Sequence, residues 1–309
     1  MESKQKIKQH IKSVKNIGQI TKAMELVAAT KMRRAEEAAL STRPYSFLAL
    51  DLLGSLSKLE GVVLPEILTK REIKKTAVVV ITSDKGLAGA FNNNILKKFD
   101  EFIKKDGIEN KIFIAVGKKA GDYLLKFNPY KIFLKYGDYT KIEQIKPLAE
   151  LLINGFLNKE WDRVLVFSMH FKSALSQVPL MQEVLPVNFN SILKILEEII
   201  PETGKFSKYK KEKQLFTFKN LKALDYLIEP SPEILLDKLG KHLILIQIYH
   251  LILEANASEH AARRFAMKNA GDNAQKLSFE LNLFYNKARQ DAITKELIEI
   301  TSGVESLNV

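Results

Sequence analysis

The sequence contains no cysteine, and this absence excludes several kinds of site. A disulfide framework, a thiolate metal site and a cysteine nucleophile all need a sulfhydryl group, and so does regulation by a redox-active thiol pair. Chains without disulfides are typical of reducing compartments, so we expect a cytoplasmic location.

Glycine and proline are also scarce, with 14 and 9 residues in a chain of 309. Together with a hydrophobic content of 46%, this predicts an ordered protein with one large core or two smaller ones. The basic N-terminus has no apolar signal-peptide core, and no run approaches the ~18 apolar residues that span a bilayer. We expect a chain that is neither secreted nor integral to a membrane.

Positive charge is present in excess. The chain has 48 Lys and Arg residues against 36 Asp and Glu residues, a formal net charge of +12. Such an excess indicates an acidic partner, and the candidates are nucleic acid, anionic lipid and acidic loops of another protein. Charge by itself does not choose among them.

Long helices are predicted at both ends of the chain. Apolar residues three or four apart predict one helix from residue 3 to about residue 58. A second helix opens at Ser231 and Pro232, its N-cap and first-turn residues, and no later proline interrupts it. Both helices carry an apolar stripe, and we expect these stripes to pack as an antiparallel coiled coil. The stripe residues are Ile7, Ile11, Val14, Ile17, Ile20, Met24 and Val27 in the first helix, and Ala270, Ala274, Leu277, Leu281, Phe284, Ala288, Ile293, Leu297, Ile300, Val304 and Leu307 in the second, which contains a stutter.

Between the helices, short β-rich runs alternate with helical patterns. Strands are predicted at 76–82, 111–117 and 162–170, and further strands at 177–187 and 214–219, with a lysine-rich segment between the last two. The alternation predicts a largely parallel, Rossmann-like sheet. The fold class is therefore α/β, and we divide the chain into an N-terminal coiled-coil helix (1–60), an α/β domain (73–220) and a C-terminal coiled-coil helix (231–309).

The sequence offers little support for catalysis. The loop at 83–92, SDKGLAGAFN, has glycines where a nucleotide-binding turn has them, but it matches neither GxGxxG nor GxxxxGK[ST], which favours a structural turn. Among the five histidines only His242 and His250 have a spacing that permits a shared face, and no GxSxG elbow accompanies His170. We therefore expect no cofactor, no metal and no catalytic residue.

Three segments in order carry a specific resemblance. Residues 11–32 read IKSVKNIGQITKAMELVAATKM, residues 83–92 read SDKGLAGAFN, and residues 259–300 begin with EHAARRFAMK and include YNKARQDAITKELIEI. They resemble the gamma subunits of F-type ATP synthases, which carry IxxxxNIxxITxAMxxVAxxKM, SDRGLCGxFN and EHxARxxAM…YNxxRQxxITxEIxEI. The departures are Ala88, where the family often has Cys, and Gly271 with Asp272, where Ala-Thr is common.

The resemblance implies a non-catalytic central rotor that couples proton flow to ATP synthesis at the beta subunits. The implied partners are the alpha and beta subunits of the catalytic head, the epsilon and delta subunits and the membrane c-ring, with no nucleic acid. The implied location is peripheral, on the cytoplasmic face of the bacterial plasma membrane. By the same resemblance, the residues that contact beta subunits are Met24, Lys31, Arg263, Arg289, Gln290, Thr294 and Glu296.

Two other functions remain open at this point. A basic coiled-coil nucleic-acid-binding protein explains the charge and the long helices, but it leaves the α/β segment unexplained. A nucleotide-binding α/β enzyme with helical arms explains the sheet, but the chain has no phosphate-binding loop.

Overall fold

The computed structural model describes residues 4–41, 43–56, 61–127, 130–134, 141–187 and 228–307. The strand predicted at 214–219 and the lysine-rich segment before it lie outside these residues. The chain divides into two compact units, one formed by residues 1–28 with 264–309 and the other by residues 29–263. The three-part division at residues 60, 73, 220 and 231 stays a prediction.

Helices dominate both ends of the chain. The N-terminal region forms α1 (Lys4–Ser41) and α2 (Arg43–Leu56), where the sequence predicted a single helix. The C-terminal region forms one helix of 76 residues, α6 (Pro232–Leu307), as predicted. Among the described residues, three shorter α-helices connect strands: α3 (Phe91–Asp106), α4 (Lys118–Leu124) and α5 (Lys146–Leu157).

In the part of the larger unit that the structure describes, five strands form a sheet in the order β3-β2-β1-β4-β5. Strands β1 (Thr76–Ile81), β2 (Lys111–Val116), β3 (Tyr130–Leu134) and β4 (Arg163–Phe171) are parallel, and β5 (Gln177–Leu185) pairs antiparallel with β4. The parallel part has the strand order of a Rossmann fold. The predicted α/β class is confirmed, although β3 was not predicted.

The core of this sheet is aromatic. Phe99 of α3 packs edge-on against Phe113 of β2 and Phe167 of β4, with ring centroids 5.6 Å apart in both pairs. On α5, Gly155 makes room for the fully buried Trp161, whose indole N–H donates to the carbonyl oxygen of Leu152 at 3.1 Å. These contacts hold helices against the central strands, so β1 is buried along its whole length.

The smaller unit is a close antiparallel packing of α1 on α6. A Cβ built on Gly18 would lie 3.7 Å from the Cβ of Ala274, and one built on Gly271 would lie 3.3 Å from the Oγ1 of Thr21. The numbering rises along α1 while it falls along α6, so the helices run in opposite directions. The predicted antiparallel coiled coil is therefore confirmed. The seam predicted on α6 is wrong at its C-terminal end, where Ile293, Leu297 and Ile300 are exposed, because in this register they lie beyond the described N-terminal end of α1.

The seam of this coiled coil differs from the predicted stripe after Val14. The buried positions continue at Thr21 and Ala28, whereas Ile17, Ile20 and Val27 are all more than half exposed. Small residues enter the seam because the two backbones approach closely at Gly18 and Gly271. The large apolar residues one position away face outward as a result.

Replacing Gly18 by alanine should stabilise the coiled coil by up to about 1 kcal/mol, since alanine is the better helix former and its methyl group finds ordinary contact space. Gly271→Ala should gain less, because its methyl group would press on the hydroxyl of Thr21. Urea unfolding followed by circular dichroism measures both. A loss of stability in Gly18→Ala would contradict the described spacing of the helices.

Candidate functional site

In a sheet with this topology, a ligand site is expected at the carboxyl ends of β1 and β4. These parallel strands are neighbours, and β1 connects onward to β2 on its other side, so the strand order reverses between β1 and β4. In doubly wound sheets ligands bind in the crevice at such a switch point. The candidate site is therefore the crevice beyond Ile81 and Phe171.

The loop after β1 uses its polar groups internally. The hydroxyl of Ser83 donates to the carbonyl oxygen of Lys85 at 2.7 Å, and the backbone N–H of Ser83 donates to the side-chain oxygen of Asn92 at 3.0 Å. The loop is thereby tied to the first turn of α3. These bonds are those of a structural turn between a strand and a helix.

The start of α4, beside this loop, is also capped by the protein itself. The carboxylate of Asp84 accepts the backbone N–H of Lys118 at 2.8 Å, and the hydroxyl oxygen of Thr82 accepts that of Ala120 at 2.6 Å. Free N–H groups at a helix start are what a phosphate needs. At this helix side chains of the chain satisfy two of them.

Helix α6 lies against the loop. The guanidinium Nη2 of Arg263 forms an ion pair with Glu259 at 2.6 Å and donates to the carbonyl oxygens of Lys85 at 3.4 Å and Gly86 at 3.3 Å. A Cβ built on Gly89 would lie 3.7 Å from the carbonyl oxygen of Ala262, so the loop and helix approach closely.

The same helix also meets the end of β4. Nδ1 of His170 is hydrogen-bonded to Oε2 of Glu254 at 3.0 Å, and both side chains are buried. Phe171 joins Ala257 and Ala261 of α6 in a small apolar cluster with residues of α1. Helix α6 therefore runs past the carboxyl ends of both β4 and β1. The crevice that would hold a ligand in a Rossmann fold is filled by a helix of the chain.

The buried length of α6 fits this position. Residues 251–260 are all buried, including the polar residues Glu254, Asn256, Ser258, Glu259 and His260. A helix that is buried on every side must be surrounded by other elements, and its polar groups need hydrogen-bond partners there. The Glu259–Arg263 spacing of four residues could have indicated the ion pair from the sequence. The Glu254–His170 contact has no such local signal.

A small cavity of about 20 Å³ lies next to Glu254, lined also by Glu36, Ala39, Phe171 and Ala257. Burial raises the pKa of Glu36 from its usual 4.5 to about 7, while Arg33 opposes the shift and Glu37 adds to it. Two carboxyl groups, one from α1 and one from α6, thus line the same small cavity.

The raised pKa of Glu36 predicts that the unfolding free energy falls as the pH rises from about 4.5 to about 7, because the folded state holds this proton more tightly than the unfolded chain. The variant Glu36→Gln should lose this decline, and the neighbouring exposed acid variant Glu37→Gln should keep it. Urea unfolding at about pH 5 and about pH 8 tests the expectation. An unchanged pH dependence in Glu36→Gln would contradict it.

Metal and membrane sites receive no support from the described part of the chain. Its His, Asp and Glu residues form no group of three that could hold an ion. His242, considered above with His250, packs edge-on against Tyr45 with ring centroids 5.2 Å apart. Among the described helices, none combines the length and the apolarity that a membrane span requires.

The partner-contact residues predicted from the resemblance differ in exposure. Arg289, Gln290, Thr294 and Glu296 are exposed on α6 in the smaller unit, where the hydroxyl of Thr294 donates to the carbonyl oxygen of Gln290 at 3.0 Å. Met24 and Lys31 are half-buried on α1, and Arg263 is buried in the larger unit. The structure thus groups four of these residues on an exposed stretch of helix.

These features define a class of protein: one chain that contains an antiparallel coiled coil and a Rossmann-like sheet whose crevice is filled by residues of α6. A family model described as ATP synthase matches residues 3–307. The ATP synthase gamma chain of Roseiflexus castenholzii is 37% identical over 99% of each chain, and that of Herpetosiphon aurantiacus is 37% identical over 100% of each. The chain therefore belongs to the family of ATP synthase gamma chains.

Solved structures show the same fold. A chain of the Euglena gracilis mitochondrial ATP synthase, solved with OSCP, F1 and the c-ring, has a TM-score of 0.62 at 21% identity and covers 98% of this chain and 94% of its own. A chain from the rotor of that enzyme has a TM-score of 0.59, covering 94% and 98%. The resemblance seen in the sequence is confirmed, and the nucleic-acid-binding alternative is not supported.

Proposed function

We propose that this chain is the non-catalytic rotor of a proton-translocating ATP synthase, turning inside the catalytic head and changing the nucleotide affinity of each beta subunit in turn. The observation that carries the proposal is the apolar surface of the coiled coil. Ile17, Ile20, Leu283, Leu297 and Ile300 are each more than half exposed in the smaller unit. Apolar surface of this extent on two packed helices favours burial against a partner.

The filled crevice of the sheet supports the non-catalytic part of the proposal. A Rossmann-like sheet that acted on a nucleotide would keep its switch point open. Here the side chains of Arg263 and Glu254 occupy that place from α6. Nucleotide chemistry then belongs to the alpha and beta subunits of the head, and this chain needs no cofactor.

Several contacts must act together to change a beta subunit. Driving a two-state site from 1:99 to 99:1 needs about 5.5 kcal/mol of differential binding, while one exposed ion pair contributes about 0–1 kcal/mol. The proposed contacts are Met24, Lys31, Arg263, Arg289, Gln290, Thr294 and Glu296. The exposure of the last four on α6 supports them. Arg263 would have to share its guanidinium group with Glu259 and the loop carbonyls.

The remaining assembly follows from the family and the charge. The net charge of +12 suits acidic loops of the head, which would attract the rotor in every angular position. We place the sheet unit toward the membrane c-ring, with epsilon beside it and delta elsewhere in the complex. The chain would then be peripheral, on the cytoplasmic face of the bacterial plasma membrane.

Reconstitution tests the proposal. The chain is mixed with purified alpha and beta subunits, and the rate of ATP hydrolysis is measured. Three other samples are compared with it: this chain alone, the alpha and beta subunits alone, and the mixture made with a variant of this chain that lacks residues 289–309. We expect a complex with one copy of this chain that hydrolyses ATP, while the chain alone does not. Failure to assemble, together with ATP turnover or salt-dependent DNA binding by the chain alone, would refute the assignment.

Point variants test the contact residues in the same assay. Arg289→Ala combined with Glu296→Ala should reduce hydrolysis up to about tenfold if the two contacts together contribute about 1.4 kcal/mol. The matched control is Lys295→Ala with Glu299→Ala, which removes an exposed ion pair of 3.8 Å from the same helix. Equal losses in the two double variants would mean that the named positions have no special role.

A further inference from the structure

We propose that Glu254 and Arg263 are positioning residues that clamp α6 to the carboxyl ends of β4 and β1, so that torque applied to the sheet passes into the helix without slip. This inference rests on the proposed rotor function. It concerns the larger unit only, in which the sheet, the loop after β1 and residues 232–263 of α6 lie together.

Apolar packing holds α6 in the crevice and resists its rotation only through the shape of the interlocking side chains. Dispersion and hydrophobic contacts are individually weak and have no preferred direction, so they restrain the angle of a buried helix less sharply than hydrogen bonds do. Hydrogen bonds lose strength steeply when distance or angle changes. A rotor that must turn its helix together with its sheet therefore needs directional contacts at this interface.

Glu254 and Arg263 are placed so that they resist rotation of α6 about its own axis. Glu254 and Arg263 are nine residues apart, which corresponds to about 14 Å along the helix and about two and a half turns. The side chains therefore leave the helix on roughly opposite sides. One contacts β4 through His170, and the other contacts the loop after β1. Turning α6 about its own axis would break both contacts at once, whereas a single anchor would act as a pivot.

On the sheet side, the groups that contact Glu254 and Arg263 are themselves held in place by other contacts. His170 lies near the end of β4, where it pairs with Val178 of β5. The carbonyl acceptors of Arg263 belong to the loop that Ser83 ties to α3 and Asp84 ties to α4. Glu259 holds the guanidinium group at 2.6 Å from the helix side. A force on α6 is therefore transmitted to four elements of the larger unit: β4, β5, α3 and α4.

The test measures angular stiffness in the assembled catalytic head. Because the chain has no cysteine, Ile108→Cys in the exposed turn before β2 gives a single attachment point for a bead. The head is immobilised and stalled, and the angular variance of the bead is recorded. The two contacts act in parallel, so Glu254→Ala should remove about half of the angular stiffness of this interface. Because angular variance is inversely proportional to stiffness, the variance that arises at the interface should roughly double. ATP hydrolysis should stay close to the unmodified level.

A double-mutant cycle separates clamping from general destabilisation. His170→Ala should raise the variance as much as Glu254→Ala, and the double variant should raise it no further, because both remove the same contact. Lys241→Ala is the matched control, since it breaks an exposed ion pair with Asp237 within α6 that does not involve the sheet. Its variance should equal that of the unmodified chain.

Each outcome decides one point. If the bead on the otherwise unmodified chain does not rotate during hydrolysis, the rotor function fails. If it rotates but Glu254→Ala and His170→Ala leave the variance unchanged, the clamp alone is wrong. Should the alanine variants fail to assemble, Glu254→Gln decides, because it keeps the shape of the side chain and removes its charge. A smaller rise in variance supports the clamp, and no rise overturns it.

Discussion

Replacing Gly117 by alanine should lower the free energy of unfolding by about 3–5 kcal/mol. Gly117 joins β2 to α4 with φ of +96°, in the left-handed region that side chains rarely adopt. A Cβ at this position would lie 2.1 Å from the carbonyl oxygen of Thr82. Backbone atoms of Thr82 cannot move away easily, because its N–H donates to the carbonyl oxygen of Val116 at 2.8 Å.

Gly107→Ala is the matched control for this substitution. Gly107 follows α3 with φ of +72°, but no atom lies within 4 Å of the Cβ that alanine would add. Its cost should be that of the backbone conformation alone, about 1–3 kcal/mol, because φ of +72° with ψ of 179° is almost confined to glycine. Urea unfolding of the two variants therefore isolates the clash. Equal losses would show that the Thr82 carbonyl is no barrier.

Replacing Asp162 by alanine should cost about 2–3 kcal/mol, because it removes the acceptor of charge-assisted hydrogen bonds in a part-buried ion pair. One carboxylate oxygen of Asp162 accepts the Nε–H of Arg71 at 2.7 Å, and the other accepts the backbone N–H groups of Lys74 at 2.9 Å and Lys75 at 3.0 Å. Asp162 thereby fixes the chain just before β1 to the chain just before β4.

Arg71 would be left without its counter-charge in this variant. Its Nη2 donates to the carbonyl oxygens of Phe156 at 2.8 Å and Trp161 at 2.6 Å, and its guanidinium group lies 4.2 Å from the centre of the Phe156 ring. Asp162→Asn keeps an acceptor oxygen and should lose less stability than Asp162→Ala. Urea unfolding near neutral pH compares the two, and an equal loss in both would show that the charge is unimportant.

The same carboxylate predicts an acid-side dependence of stability. Burial raises the pKa of Asp162, but the N–H groups of Lys75 and Lys74 and the Arg71 guanidinium outweigh it and hold the pKa below the usual 3.8. The stability contributed by Asp162 is therefore present above about pH 3.8 and is lost as the pH falls below that value through the folded pKa. Asp162→Ala should show less loss of stability on acidification than the unmodified chain.

Much of the fold follows from local pattern. Strands β1, β2 and β4 are mostly buried and read as short apolar runs, and the 76 residues of α6 contain no internal proline. Strand β3 was missed because it is a five-residue strand at the edge of the sheet, with too short a pattern to stand out.

The coiled-coil seam illustrates where pattern reading fails. Hydrophobic periodicity selects the largest apolar residues, and on α1 it selected Ile17, Ile20 and Val27. The structure buries Thr21 and Ala28 instead, because two helices that approach closely need small residues between them. Which residues are small enough becomes apparent only when the partner helix is in place.

Arg263 shows the same limit at the candidate site. The segment that contains Arg263 resembles the family motif, and this resemblance predicted that Arg263 contacts a partner subunit. That contact stays a proposal. The structure adds hydrogen bonds to the carbonyl oxygens of Lys85 and Gly86, which precede it by 178 and 177 residues. Contacts across such separations depend on how the sheet and α6 come together, and no local pattern contains that information.

By itself, the sequence determined the family, the types and approximate bounds of most helices and strands, and the exclusion of thiol chemistry, since these depend on residue identity and on spacing along the chain. Tertiary structure decided which face of α1 is buried, that α6 fills the crevice at the ends of β1 and β4, and that Glu254 and Arg263 anchor it there. The physical reason is that burial and hydrogen bonding depend on contacts between segments far apart in the chain. The distance between their backbones determines which side chains fit between them.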